Sequence, residues 1–181
     1  MTRFGYVMVA YFATMATIVT AFIHPSPRLI WNASASVPVG LYRMSSAPAP
    51  KVGDLVAVLP PDQLAGFLAE RHFLPRGVPM LKHVVGVSGQ RVCRHGYRIT
   101  VDGKHLGDAR ERDHLGRELP VWKGCRALSR GDIFLMNPDA LDSFDGRYFG
   151  PLPATTITGR LTPLWITREH DRAAPPPKST H

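Results

Sequence analysis

Met80-Leu-Lys-His-Val-Val-Gly-Val87 (MLKHVVGV) is an apolar, β-branched run of strand length with a lysine set into it. Such a run reads as a buried strand. A lysine ammonium there is costly unless it is paired, reaches water at an edge, or loses its proton. Upstream, Lys51-Val-Gly-Asp-Leu-Val-Ala-Val-Leu-Pro60 reads as a turn at Gly53-Asp54 followed by a second apolar strand. Between the two, Leu64, Phe67, Leu68 and Phe73 fall near helical spacing, with Pro61 at a helix start and Pro75-Arg76-Gly77 as its end. Downstream, Gln90 to Val101 alternates through Val92, Tyr97, Ile99 and Val101, and Asp102-Gly103 is a hairpin signal. Gly107 to Lys123 is polar and charged, which predicts an exposed loop. Arg130-Gly131-Asp132 then opens a further strand, IFLM, echoing Gly53-Asp54 and LVAV. The pattern predicts a mainly β, antiparallel domain with one or two short helices.

With 181 residues the chain has room for one compact domain plus an anchor or tail. Phe4 to Ile23 carries no charge, and twenty helical residues reach about 30 Å, the thickness of a bilayer core. Arg3 precedes this segment, and His24, Pro25 and Pro27 end it. The alternatives are a removable signal peptide and a buried helix. The segment is longer than a signal-peptide core of about 7–15 residues. The small-x-small site behind it, Ala33-Ser34-Ala35, would strip the residues before Ser36. A retained transmembrane anchor over 1–24 is therefore expected, with the short N-terminal tail inside and the domain, 25–171, outside. Residues 26–35 read as an extended linker, and the proline-rich end, 172–181, as a disordered tail.

The formal charge is +8, but basic and acidic residues are interspersed, with no Lys/Arg block of the kind that grips nucleic acid. No nucleic-acid partner is expected. Cys93 and Cys125 are compatible with a disulfide in an oxidising compartment, or with two buried thiols. Neither has a second cysteine at metal-ligand spacing and the histidines show none, so neither a metal nor another cofactor is expected.

Two further segments carry possible chemistry. One is Asn32-Ala-Ser-Ala-Ser-Val-Pro-Val-Gly-Leu-Tyr42, and the other Asn137-Pro-Asp-Ala-Leu-Asp-Ser-Phe-Asp-Gly-Arg-Tyr-Phe-Gly150. Each alone is weak, since the first can be a surface turn. Together with Lys82 they fit one mechanism, in which a neutral lysine amine takes the proton of a serine hydroxyl. Lysine normally titrates near 10.4, so a base useful at neutral pH requires a drop of about two to three pH units, and apolar burial supplies one. A Ser-His-Asp arrangement fits less well. No G-x-S-x-G elbow is present, and His83 points to the strand face opposite Lys82.

These boxes resemble the type I signal peptidases, and most closely their TraF branch, the maturation peptidases of conjugative transfer systems. The TraF pattern S-x-P-x-G-[LI]-Y matches Ser36 to Tyr42. The lysine box K-R-[VA]-x-G-x-x-G-D resembles Lys82 to Gln90, and S-x-D-S-R-Y-x-G resembles Ser143 to Gly150. The resemblance runs in order from Asn32 to Gly159. It implies Ser36 as nucleophile, Lys82 as general base, Ser34 as an oxyanion-hole hydroxyl, Ser143 as a hydroxyl orienting the lysine, and Asp145 with Arg147 as a supporting ion pair. In the TraF branch this aspartate is needed for activity. The chain departs at His83, Gln90 and Gly146, where the family has arginine, aspartate and serine.

By resemblance, the expected function is a serine endopeptidase of the bacterial inner membrane with its catalytic domain in the periplasm. It would mature a membrane-embedded pilin precursor, with or without cyclisation. An ordinary signal peptidase acting on many preproteins is the alternative enzyme. A non-catalytic anchored assembly protein is the alternative of a different class.

Overall fold

The computed structural model describes residues 3–22 and 28–167. The boundary placed at residue 24 and the tail placed at 172–181 lie outside those residues.

The first element is helix α1, Arg3–Phe22. Its described side chains, Arg3 to Val19, are almost all exposed, among them Phe4, Tyr6, Val7, Tyr11 and Phe12. Among the described residues no helix is long and apolar enough to cross a membrane.

The rest is a β fold of two sheets. The larger sheet takes β1 (Leu29–Asn32), β2 (Gly40–Ser45), β3 (Leu55–Val58), β4 (Met80–Val87), β9 (Asp132–Met136), β10 (Leu152–Pro153) and β11 (Ile157–Ile166). Their order is β1-β2-β11-β3-β4-β9-β10, and every pairing is antiparallel. The smaller sheet takes β5 (Arg91–His95), β6 (Arg98–Val101), β7 (Lys104–Asp108) and β8 (Gly124–Ala127), in the order β7-β6-β5-β8. Helix α2 (Asp62–Glu70) joins β3 to β4, and the single turn α3 (Gly146–Phe149) lies within the Asn137–Gly150 segment.

β4 occupies the Met80–Val87 run read from the sequence and lies between β3 and β9, so Lys82 is on an interior strand. The two faces of this sheet are covered differently. Val56, Val58, Met80, Val84, Ile133 and Leu135 pack with Leu68 of α2. On the other face Phe134 and Met136 pack with Val92, Ile99, Val101, Trp122 and Leu128, which ties the small sheet to the large one.

Three expectations change. Residues 29–32 are strand β1, paired with β2 through Ile30↔Tyr42 and Asn32↔Gly40, rather than free linker. Gln90–Val101 is two strands: Gly96, at φ 61°, turns the chain, and Tyr97 sits exposed in that turn instead of facing the core. The stretch 107–123 is polar in composition but not wholly exposed. Ala109, Leu119 and Trp122 are buried, and Trp122 Nε1 donates to Gly146 O. A few apolar side chains suffice to hold such a loop down, and composition averages them away.

Cys93 and Cys125 are directly opposed on β5 and β8 and are joined by a disulfide.

Candidate active site

Ser36 lies in the turn between β1 and β2, and Asn32, buried at the end of β1, builds that turn. Its amide Nδ2 donates to the carbonyls of Ser34, Val37 and Pro38, and its Oδ1 accepts from the Ser34 backbone N–H and from Ser34 Oγ. Tyr42 closes the turn from β2 by donating its hydroxyl to Pro38 O at 2.6 Å; burial pushes this phenol above its usual value. Gly40 is required by space. A Cβ there would stand 2.1 Å from Trp165 O of β11, where that strand pairs with β2. The serine box is thus a hydrogen-bonded loop with its rigidity encoded at Asn32, Gly40 and Tyr42.

The protons of this loop can be followed. Ser34 Oγ donates to Asn32 Oδ1 at 2.8 Å, which uses its single proton. The Ser34 Oγ···Ser36 Oγ contact of 3.1 Å therefore has Ser36 as donor. In this arrangement the Ser36 proton points along a chain to Ser34 and Asn32, and Ser36 makes no hydrogen bond to Lys82 among the described residues.

Lys82 is 4% exposed, on the face of β4 shared by Met80 and Val84. Its Nζ donates to Ser143 Oγ at 2.6 Å. Burial lowers its pKa from 10.5 to about 8; the Asp145 carboxylate opposes that drop, and the Arg147 guanidinium adds to it. The residue is neither an edge lysine nor a fully ion-paired one.

Asp145 and Arg147 have no exposed surface. Asp145 accepts from the backbone N–H groups of Asn137 and Arg147 and from Nε and Nη2 of Arg147. Nη2 of Arg147 also reaches the carbonyls of Asn137, Ala140 and Ser143. The pair therefore fastens the 137–145 loop, and so fixes where Ser143 presents its hydroxyl to Lys82. Buried Arg94 supports the pair from β5 by donating to Arg147 O. Nothing in the local pattern of β5 marks Arg94 for this; the buried partner is far away in sequence.

Two of the three departures have local reasons. Gln90 accepts from Val87 N–H and donates to Asp102, tying the β4–β5 turn to the β6–β7 hairpin. Gly146 has no room for a side chain, since a Cβ would stand 2.5 Å from Leu135 O and 2.6 Å from the Phe134 ring. The third, His83, faces away from Lys82, with Nδ1 against Asn137 Oδ1 at 3.1 Å.

Ser34, Ser36, Lys82 and Ser143 line one cleft of about 640 Å³. Its floor is largely apolar, with Ile30, Leu68, Phe73 and Phe144, and its far rim carries Arg110, which ion-pairs with Asp142. A serine hydroxyl and a lysine amine of lowered pKa in one apolar cleft can run acyl transfer without a metal. No cluster of His, Cys, Asp or Glu able to hold a metal ion occurs among the described residues.

This combination of an antiparallel β fold, a serine-bearing turn and a buried lysine defines a serine-peptidase type of site. The signature of the family described as "Signal peptidase, peptidase S26" matches residues 1–165, and the chain belongs to that family. Within it the relatives are TraF proteins. A probable conjugal transfer protein TraF of Sinorhizobium fredii is 35% identical over 139 residues, which is 71% of this chain and 72% of the relative. A plasmid transfer protein TraF of Escherichia coli is 33% identical over 144 residues, 74% of this chain and 80% of the relative. A conjugal transfer protein TraF of Agrobacterium fabrum is 33% identical with the same coverage. Among solved structures, a signal peptidase I from Enterococcus faecalis aligns with a TM-score of 0.40 and 18% identity, over 65% of this chain and 100% of that one.

Proposed function

We propose that this protein is a Ser36/Lys82 endopeptidase of a conjugative transfer system, anchored in the bacterial inner membrane and maturing a pilin precursor on the periplasmic side. The observation that carries the chemistry is Lys82, buried, lowered to about 8 and in one cleft with Ser36. The names of the TraF relatives support the setting.

In the proposed reaction the substrate carbonyl enters the cleft beside Ser36. Ser36 Oγ turns its proton from Ser34 to the neutral amine of Lys82 and attacks. Ser34, freed from accepting that proton, rotates its hydroxyl from Asn32 to the developing oxyanion, beside the Ser36 backbone N–H. Ser143 holds the lysine amine on its path, and the Asp145–Arg147 pair holds Ser143. Protonated Lys82 then gives the proton to the departing amine. The acyl-enzyme is released by water, or by a pilin amine with ring closure.

Helix α1 has no Asp, Glu, Lys or Arg after Arg3, which suits an anchor, although no helix among the described residues is by itself long and apolar enough to cross a membrane. Ile23, the last residue of the expected span, lies outside the described residues. An exposed apolar patch on the domain points the same way: Trp31 and Trp165 stack 5.7 Å apart beside exposed Leu29 and Leu164. Aromatic side chains of that kind favour the membrane interface.

The test is intact mass spectrometry of the cognate pilin co-expressed with wild type or with Ser36→Ala. A shorter pilin with wild type alone is expected, and loss of one further water would mark ring closure. An unchanged pilin in both strains would sink the pilin assignment. Cleavage that survives Ser36→Ala would sink the dyad.

A further inference from the structure

Ser36 stands between two cavities. Next to the main cleft is a pocket of about 420 Å³ that shares Ala35, Ser36 and Ala140 with it and is otherwise lined by Val37, Pro38, His83, residues 137–139, Ile166 and Thr167. The two differ in charge. The main cleft carries Lys82, Arg110 and Arg112, and its carboxylates, Asp113 and Asp142, are each paired with an arginine. The second pocket has one formally charged side chain, Asp139, which is exposed and has no hydrogen-bond or ion-pair partner among the described residues.

His83 adds a second acceptor. Asn137 Nδ2 donates to Leu81 O, and Oδ1 accepts from the His83 backbone N–H, which fixes the orientation of the amide. The oxygen is therefore what faces His83 Nδ1 at 3.1 Å, and Nδ1 must carry a proton. In the neutral ring Nε2 is then a bare lone pair. The hydrogen bond that His83 Nδ1–H donates to buried Asn137 Oδ1 locks this tautomer, and Nε2 has no partner among the described residues.

We propose that this pocket is a subsite for a primary ammonium group, with the Asp139 carboxylate as counter-ion and His83 Nε2 as acceptor. The proposal rests on the peptidase reading only in taking that amine to belong to the substrate. Cleavage at Ser36 liberates an amine on the leaving side, and a site with unspent acceptors and one unpaired carboxylate suits it. A lysine side chain just beyond the cut would present the same chemistry.

The test uses the full chain in detergent micelles, titrated with glycinamide and followed by NMR of the Asn137 side-chain amide and the His83 ring. Saturable shifts are expected with glycinamide and none with N-acetylglycinamide. Asp139→Asn should weaken binding about tenfold. His83→Asn, which keeps the donor to Asn137 and removes Nε2, should also weaken it. Tighter binding of glycinamide than of butylamine would identify a peptide α-amine, and the reverse a lysine side chain; both support the subsite. No saturable shift, equal shifts with the acetylated probe, or unchanged binding in Asp139→Asn would overturn it. Glycinamide binding in a protein that cleaves nothing would uphold the subsite and sink the peptidase reading instead.

Discussion

Lys82→Met should abolish cleavage and at the same time make the protein more stable near neutral pH. Lowering the amine from 10.5 to about 8 means that the fold disfavours its charged form by roughly 3 kcal/mol. Methionine fits the same apolar slot between Met80 and Val84 and removes that penalty. Against it stands Ser143, whose hydroxyl loses its partner at about 1–3 kcal/mol. The net gain at about pH 7 is roughly 0–2 kcal/mol, or a rise of up to about 8 °C in Tm for a domain of this size.

The pH dependence carries the sign. Between about 8 and 10.5 the unfolded chain still holds the lysine proton while the folded protein has released it, so wild-type stability rises with pH through that window. The advantage of Lys82→Met should therefore be full below about pH 8 and vanish towards 10.5, where only the Ser143 loss remains. Thermal melts of the two proteins at several pH values read this difference directly. Wild-type kcat/KM should also rise with pH and level off above an apparent pKa near 8. A difference in Tm that is constant with pH, or a variant less stable at neutral pH, would refute the claim that burial lowers the pKa of this lysine.

Three further outcomes follow from the geometry. Asn32→Ala leaves the carbonyls of Ser34, Val37 and Pro38 without their common donor, and should cost about 2–4 kcal/mol in urea unfolding together with most of the activity. Gly146→Ser restores the family residue but drives a side chain into Leu135 O and the Phe134 ring; a loss of about 1–3 kcal/mol or more by thermal melting is expected, and a neutral effect would contradict the packing. Reducing Cys93–Cys125, which are 32 residues apart, should lower stability by about 3–4 kcal/mol in the chain-entropy account, measured by unfolding with and without a thiol reductant.

Much of this was legible in the residues because the signals were local. MLKHVVGV has a strand's composition and length, and β4 follows it from end to end. Asp102-Gly103 turned the hairpin where a turn of that kind belongs, with Asp102 at φ 48°. What escaped reading was set at a distance. Gly96 lies inside the run read as one alternating stretch, and it is the pairing of β5 with β6 across it that makes it a turn. Trp122 looked like part of a charged loop, and its burial depends on Phe134 and on Gly146 O. Asn32 opened the serine box without an evident task, because its work is done on carbonyls up to six residues ahead.

The same distinction explains the shape of the site. A base made by desolvation cannot be given a close counter-ion without losing its lowered pKa. The fold meets this by keeping the nearest carboxylate busy: Asp145 accepts four donors, three of them from Arg147, and its pull on Lys82 is partly cancelled by the Arg147 charge. Lys82 is left with a neutral hydroxyl, Ser143, as its partner. An uncharged acceptor aims the amine without fixing its proton there. Replacing Ser143 by aspartate would supply the counter-ion the fold withholds. It should raise the lysine pKa and shift the rise of the pH–rate profile to higher pH, while Ser143→Thr should leave the profile in place.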